Sequence, residues 1–418
     1  MPHSAGALPR RHEPDSPYAL LRLAIALAVM MVGASGMYVV AVVLPAVQAE
    51  FGVARADASV PYTVLMIGFG VGGVLMGKLA DRYGIMMPLV LGGICLGLGY
   101  VLAGLAPDIW TFSLAQALFV GLLGSSATFA PLLADTSLWF VRRRGFAVAV
   151  CASGNYLGGA VWPTIVQHFV DTVGWRQTYI GMGVVCGALM IGLGLLMRER
   201  PPLHAPHAAA KPGMASAEGR PFGLSPGAAQ ALLALAGIAC CVAMSMPQVH
   251  IVAYCGDLVY GAARGAEMLS LMLACGIASR LISGWICDRI GGLRTLLLGS
   301  ALQGVALLLF LPFDGLASLY VISALFGLFQ GGIVPSYAII VREYFPPREA
   351  GGRVGAVIMC TMLGMALGGW MSGKVFDLTG SYHAAFLNGI AWNLVNLAIA
   401  AALYLRVRNG RGMLRPAH

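Results

Sequence analysis

The chain has 418 residues, of which 59% are hydrophobic and only 10% charged, and its mean hydropathy is +0.81. That balance excludes an ordinary soluble domain and points to a polytopic membrane protein. The formal net charge of +9 does not indicate nucleic acid, because the basic residues stand singly at the ends of apolar runs, with no basic face and no aromatic-interleaved patch.

Residues 1–18 are polar and proline-rich, with Arg10 and Arg11, and are expected to form a cytoplasmic tail. The first apolar run, from Ala19, is too long for a signal-peptide core and reads as a spanning helix. Further runs able to cross a hydrocarbon layer of ~30 Å follow. Together the twelve lie near 19–46, 59–79, 86–106, 110–135, 145–169, 176–197, 227–255, 265–287, 294–313, 316–341, 352–374 and 382–406. A polar stretch at 198–226, rich in proline and histidine, separates them into six-helix bundles at 19–197 and 227–406, and 407–418 forms a second cytoplasmic tail. The fold class expected is therefore an all-α membrane protein of twelve transmembrane helices in two six-helix pseudo-repeats.

The distribution of Lys and Arg sets the orientation. With the N-terminus inside, Arg55, Arg176, Arg264 and Lys374 fall outside, Arg280 lies within a span, and the remaining 21 of 26 face the cytoplasm. The nine cysteines sit mostly in apolar runs and form no C-x-x-C pair, so neither a disulfide framework nor a metal site is expected. No cofactor motif is present.

The two halves repeat each other. Gly77, Asp81, Arg82 and Gly84 after the second span match Gly284, Asp288, Arg289 and Gly291 after the eighth as G-x-x-x-D-R-x-G, at an offset of 207 residues. Asp171 to Gly174 and Asp377 to Gly380 recur at 206, after the fifth and eleventh spans. Duplicated halves place a substrate path at their interface, near the bilayer midplane. The D-R-x-G turns are expected to gate, by holding cytoplasmic helix ends together. Glycines such as Gly68, Gly70, Gly72, Gly73, Gly77, Gly154, Gly158 and Gly159 read as helix-packing contacts.

On these residues the chain resembles the Major Facilitator Superfamily, whose loop between spans two and three carries G-x-L-a-D-r-x-G-r-[RK]; Ile85-Met86-Met87 departs from its basic end. Trp139 to Gly154 is similar to the monocarboxylate-transporter pattern YFxKRRxLAxGxAxAG, although Arg142 to Arg144 also read simply as cytoplasmic anchors. Arg280 to Arg289 resembles the same group and its oxalate/formate-antiporter relatives, which implies that Arg280 binds a substrate carboxylate. The acidic residue of that group's first-span motif is absent from Gly33 to Tyr38, and no lysine lies midway along the first or eleventh span.

Arg280 is also the residue that elementary energetics singles out, since a charge at that depth is costly. The nearest acids on its own helix, Glu267 and Asp288, are about 20 Å and about 12 Å away by the 1.5 Å helical rise, too far for easy pairing. Tyr38, Asn155, Tyr156, Trp162, His250, Tyr254, Gln330 and Tyr337 are polar or amphipathic residues within spans, either lining the cavity or bonded between helices. His250 is the histidine well inside a span, and Pro247 is expected to break the backbone hydrogen-bond ladder locally, as in the flexible, cavity-lining part of a transporter helix. It stands either as a proton-coupling site or as a neutral interhelical contact.

The function expected is a secondary active transporter that moves a small organic anion, a monocarboxylate in the first instance, by alternating access with a proton or by exchange. The alternative is an exporter or a carrier of a vitamin, an aromatic compound or a drug. No H-E-x-x-H, G-x-S-x-G or phosphate loop speaks for an enzyme, no Walker A sequence for ATP drive, and no filter-like repeat for a channel. The expected setting is the cytoplasmic (inner) membrane, as a monomer in contact with lipids, protons and the anion, with both termini cytoplasmic.

Overall fold

A computed structural model describes residues 14–140, 144–200 and 221–413. Among these residues the long elements are all helices. The first half comprises α1 (Pro17–Phe51), α2 (Arg55–Tyr83), α3 (Met86–Gly104), α4 (Ile109–Trp139), α5 (Arg144–Val173) and α6 (Trp175–Leu196). The second comprises α7 (Pro226–Asp257), α8 (Ala262–Ile290), α9 (Gly292–Leu309), α10 (Leu316–Tyr344), α11 (Pro347–Thr379) and α12 (Tyr382–Met413). Eleven of these are both long and apolar enough to cross a membrane. The remaining one, α5, has the length at 30 residues, and its hydropathy is diluted by Ser153, Asn155, Tyr156, Trp162 and Pro163.

Successive helices run in opposite directions, so the chain ends and the connection between the halves share one end of the bundle, here the terminal end; the opposite one is the far end. Residues 201–220 of that connection, and Arg142 and Arg143, lie outside the described residues.

Missing side chains let backbones approach closely. A Cβ on Gly68 or Gly72 of α2 would fall 2.4 Å from the Ala117 carbonyl oxygen or 2.0 Å from that of Leu122 on α4. On α5, a Cβ at Gly154 or Gly158 would fall 2.7 Å from the Leu27 oxygen or 2.5 Å from the Met31 oxygen of α1. Gly77 and Gly284 are different, with nothing within 4 Å. The last glycines of the repeated turns have a backbone reason of their own: Gly84 and Gly291 adopt φ of 86° and 85° and end α2 and α8, a conformation that any Cβ would strain.

Three central helices are interrupted. α1 breaks at Ala34, α4 passes through a π segment (Gln116–Gly124) and a 3-10 turn (Ser125–Thr128), and α10 breaks at Gly331 and Gly332. At the α1 break the Met31 carbonyl accepts the Trp162 indole N–H at 2.8 Å. The fourth central helix, α7, runs on through Pro247, which costs its ladder one donor. Every residue from Ala239 to Cys255 is buried, and packing on all sides keeps the helix continuous where the proline removes a single donor.

Candidate functional site

The halves meet where α5 packs on α8 and where α2 packs on α11. On the first of these seams the Arg280 Nη1 donates to the Ala152 carbonyl at 3.0 Å, and its Cζ lies 4.3 Å from the centroid of the Tyr156 ring. The Nε is buried without a partner, and no described carboxylate pairs with this guanidinium. Glu267 is engaged elsewhere, by Arg264 at 3.0 Å and by the Tyr320 hydroxyl, and Asp288 is exposed. One turn from Ala152 on α5, Asn155 accepts the Tyr38 hydroxyl at 2.9 Å. Tyr38, Asn155, Tyr156 and Arg280 therefore form one cluster joining α1, α5 and α8.

The other candidates lie elsewhere. Tyr337 is fully buried and donates to Asn396 at 2.9 Å, which in turn donates to Ser300 at 2.7 Å, so it serves a network between α9, α10 and α12. Gln330 is also fully buried and accepts from Gln248 at 3.0 Å. Tyr254 packs its ring 5.3 Å from Tyr382 and 5.6 Å from Phe386, toward the far end.

His250 belongs to a far-end relay. Its Nε2 faces the Gly369 carbonyl at 2.8 Å and must carry the proton there, since a carbonyl only accepts. Its Nδ1 then accepts from the Tyr382 hydroxyl at 3.3 Å, and Tyr382 accepts from Arg55 Nη1 at 3.1 Å. Arg55 also reaches both Asp257 oxygens at 3.2 Å. Asp377 receives the Arg55 and Ala56 backbone N–H groups at 2.8 and 2.7 Å, capping the start of α2 from the opposite half, where orphan N–H groups favour an anion. His250 lies about 10 Å from the far end of α7 and Arg280 about 27 Å from that of α8, by helical rise, so the relay and the arginine cluster occupy different depths.

At the terminal end the expected gating residues stand apart. Asp81, Arg82, Asp288 and Arg289 are exposed, and neither aspartate has a side-chain partner among the described residues; the arginines cover Tyr83 and Trp285 of their own helices at 5.2 and 3.4 Å. Glu343 instead takes the Gly292 N–H at 3.1 Å within the second half.

Two features escape a reading of the sequence. Arg55 looks like an external topology marker but is buried at the junction of the halves. Arg22 and Asp135, at span ends, form a buried ion pair at 2.7 Å, with sides 2% and 8% exposed, closed off by the Trp139 ring at 4.5 Å. The signal available was an arginine and an aspartate each inside an otherwise apolar run.

The sequence model of the Major Facilitator Superfamily matches residues 25–316 and 231–417. The chain belongs to the Major Facilitator Superfamily. Among its relatives, monocarboxylate transporter 13 of Rattus norvegicus is 28% identical over 355 residues, which is 83% of this chain and 78% of that one. Monocarboxylate transporter 11 of Homo sapiens is 30% identical over 329 residues, 74% and 66% of the two chains. A solved bacterial homolog of the human lysosomal transporter Spinster superposes with a TM-score of 0.72 at 14% identity, covering 94% of this chain and 98% of that one. The nucleoside transporter NupG gives 0.67 at 14% identity, over 95% and 100%. This superfamily member is thus a multi-pass membrane transporter of a small molecule, related to the monocarboxylate group.

Proposed function

We propose that this transporter carries a small organic anion, a monocarboxylate, by alternating access, with Arg280 as the carboxylate site. The observation that carries the reading is the absence of any described acid beside a guanidinium in the middle of a span. Leaving such a charge unpaired is expensive, and a substrate carboxylate relieves that cost with bidentate hydrogen bonds. The kinship with monocarboxylate transporters supports the same substrate class.

The terminal end is the cytoplasmic one, on the side where 21 of the 26 Lys and Arg residues lie, in a cytoplasmic membrane and as a working monomer. The conformation with a bonded far end and, among the described residues, no cross-half side-chain bond at the terminal end then corresponds to an inward-open state. Asp81 and Asp288 act in the opposite, outward-open state. His250 couples the proton through the gate: a second N–H at Nδ1 would face Tyr382 and the nearby Arg55 cation, loosening the far-end closure.

The test is uptake of labelled short-chain and aromatic monocarboxylates into proteoliposomes, with and without an inward proton gradient. Arg280→Ala is expected to lower kcat/KM by about 100-fold or more, the scale of breaking a buried charged pair. Arg280→Lys recovers little, because an ammonium lacks the planar fork. His250→Gln keeps exchange and loses gradient-driven uptake. Normal affinity in folded Arg280→Ala protein refutes the carboxylate site.

A further inference from the structure

The arginine cluster contains a residue with no polar group at all that fixes the geometry of the rest. Gly276 lies four residues before Arg280 on α8, so the two share one face. A Cβ on Gly276 would fall 2.7 and 2.8 Å from Cε1 and Cδ1 of Tyr156, inside the distance real atoms keep. The same ring meets Arg280 at 4.3 Å. Tyr156 is therefore seated against bare α8 backbone on one turn and against the guanidinium on the next.

α8 has no room to withdraw from that ring. On its other side α10 is pressed equally close: a Cβ at Gly327 would fall 2.0 Å from the Met272 carbonyl, and one at Gly331 would fall 2.5 Å from the Gly276 carbonyl itself. Tyr156 is only 6% exposed. Any atom added at position 276 must displace the ring.

The ring matters because of what it leaves free on Arg280. Nη1 is committed to the Ala152 carbonyl, one helical turn before Tyr156 on α5, and Cζ lies over the ring, 4.3 Å from its centroid. The Nε is buried without a partner, and Nη2 bonds to none of the described residues. These two N–H groups make the side-on edge of the fork, which matches the two oxygens of one carboxylate. The carbonyl bond and the ring contact together restrict where the guanidinium can turn.

We propose that Tyr156 and Gly276 are positioning residues for Arg280: the ring, admitted by the missing side chain at 276, holds the Nε–Nη2 edge of the guanidinium ready for a substrate carboxylate. This rests on the carboxylate reading of Arg280. It adds that anion affinity is set by a tyrosine–arginine contact across the two halves and by a glycine that touches no substrate.

The test measures KM and kcat separately for labelled lactate and benzoate in proteoliposomes, for wild type, Gly276→Ala, Tyr156→Leu, Tyr156→Phe, the Gly276→Ala/Tyr156→Leu pair and Arg280→Ala. A cation–π contact is worth roughly 5- to 10-fold in affinity. Gly276→Ala and Tyr156→Leu are each expected to raise KM by about that factor with kcat changed less than about twofold. The pair is expected to be no worse than Tyr156→Leu alone, because both act through one ring. Tyr156→Phe, which keeps the ring, recovers most of the affinity that Tyr156→Leu loses. If Gly276→Ala does not fold, the Leu and Phe substitutions at 156 decide the matter by themselves. Equal KM for wild type, Gly276→Ala and Tyr156→Leu, with uptake still dependent on Arg280, overturns this inference alone. Uptake that is absent in wild type or that survives Arg280→Ala overturns the carboxylate reading and this inference with it.

Discussion

The far ends of the two halves are built from corresponding residues and yet do different things. At the repeat offsets, Glu50 at the end of α1 corresponds to Asp257 at the end of α7, and Arg176 at the start of α6 corresponds to Tyr382 at the start of α12. In the first half Arg176 binds Glu50 at 2.7 Å and also caps the Gly104 and Ala106 carbonyls at 2.9 and 2.8 Å. That clamp is closed within one half. In the second half a tyrosine stands at the arginine's place, and the cation for Asp257 comes from the other half as Arg55. With tyrosine in place of the arginine, and Arg55 where the second half has Ala262, the bond to Asp257 runs between the halves instead of within one.

The D-x-x-G repeat diverges in the same way. Asp377 caps α2 across the interface, whereas Asp171 accepts from Gln167 on its own helix at 2.7 Å and makes no such bond to α8. The residue corresponding to Gln167 is Gly373, where a Cβ would lie 2.9 Å from the Arg55 carbonyl. Glycine lets α11 reach the start of α2; glutamine occupies the aspartate instead. The α2–α11 seam accordingly carries the charged far-end contacts, whereas the α5–α8 seam carries the neutral Thr164–Ser270 hydrogen bond at 2.9 Å.

Restoring the symmetry is expected to have the largest effect. Tyr382→Arg would give Asp257 a cation from its own half and set it against Arg55, converting the gate into a brace. Far-end opening is expected to become about tenfold more populated, the effect of exchanging one partly buried charged contact for a repulsive one. Thiol labelling of a cysteine placed at Ala56 reads it, and an unchanged labelling rate would show that Arg55 does not hold the gate.

A smaller effect is expected from Asp377→Asn, which weakens a helix cap worth about 1 kcal/mol, roughly a fivefold shift toward the open far end. Asp171→Asn should leave the same labelling rate within about twofold, since it disturbs only a bond within α5. Equal responses at the two positions would erase the asymmetry. The smallest change belongs to Asp81→Asn: with no described partner in this conformation it costs nothing here, so its effect is a shift of about threefold or less toward this state, measured as faster labelling of a cysteine at Gly284. Slower labelling would contradict a role in the opposite state.

Much of this architecture is legible in the sequence. Spans follow from apolar length, the halves from the recurring turns, and the position of Arg280 within a span from one charge in an apolar run. What stays hidden depends on which helix faces which. Arg55 begins a span, where a basic residue ordinarily marks topology, and nothing local reveals Asp257 and Tyr382, more than 200 residues on, as its partners. Tyr254, Gln330 and Tyr337 have the same polar character as Tyr38 and Asn155, but a residue type does not report the side of the helix it occupies, and Tyr337 turns to α12. Gly276 reads as one more small residue until the Tyr156 ring is seen against it.

If Arg55 holds the far end shut, the separations at the two ends change together, in opposite directions, when it is removed. Paired spin labels at the far ends of α2 and α11, and a second pair at the terminal ends of α2 and α8, give the two separations in purified protein. The expected result is a short far-end distance and a long terminal-end distance in the wild type, and in Arg55→Ala a new population with the far end longer and the terminal end shorter together. Far-end and terminal-end distributions that do not respond to Arg55→Ala would show that Arg55 does not hold the far end.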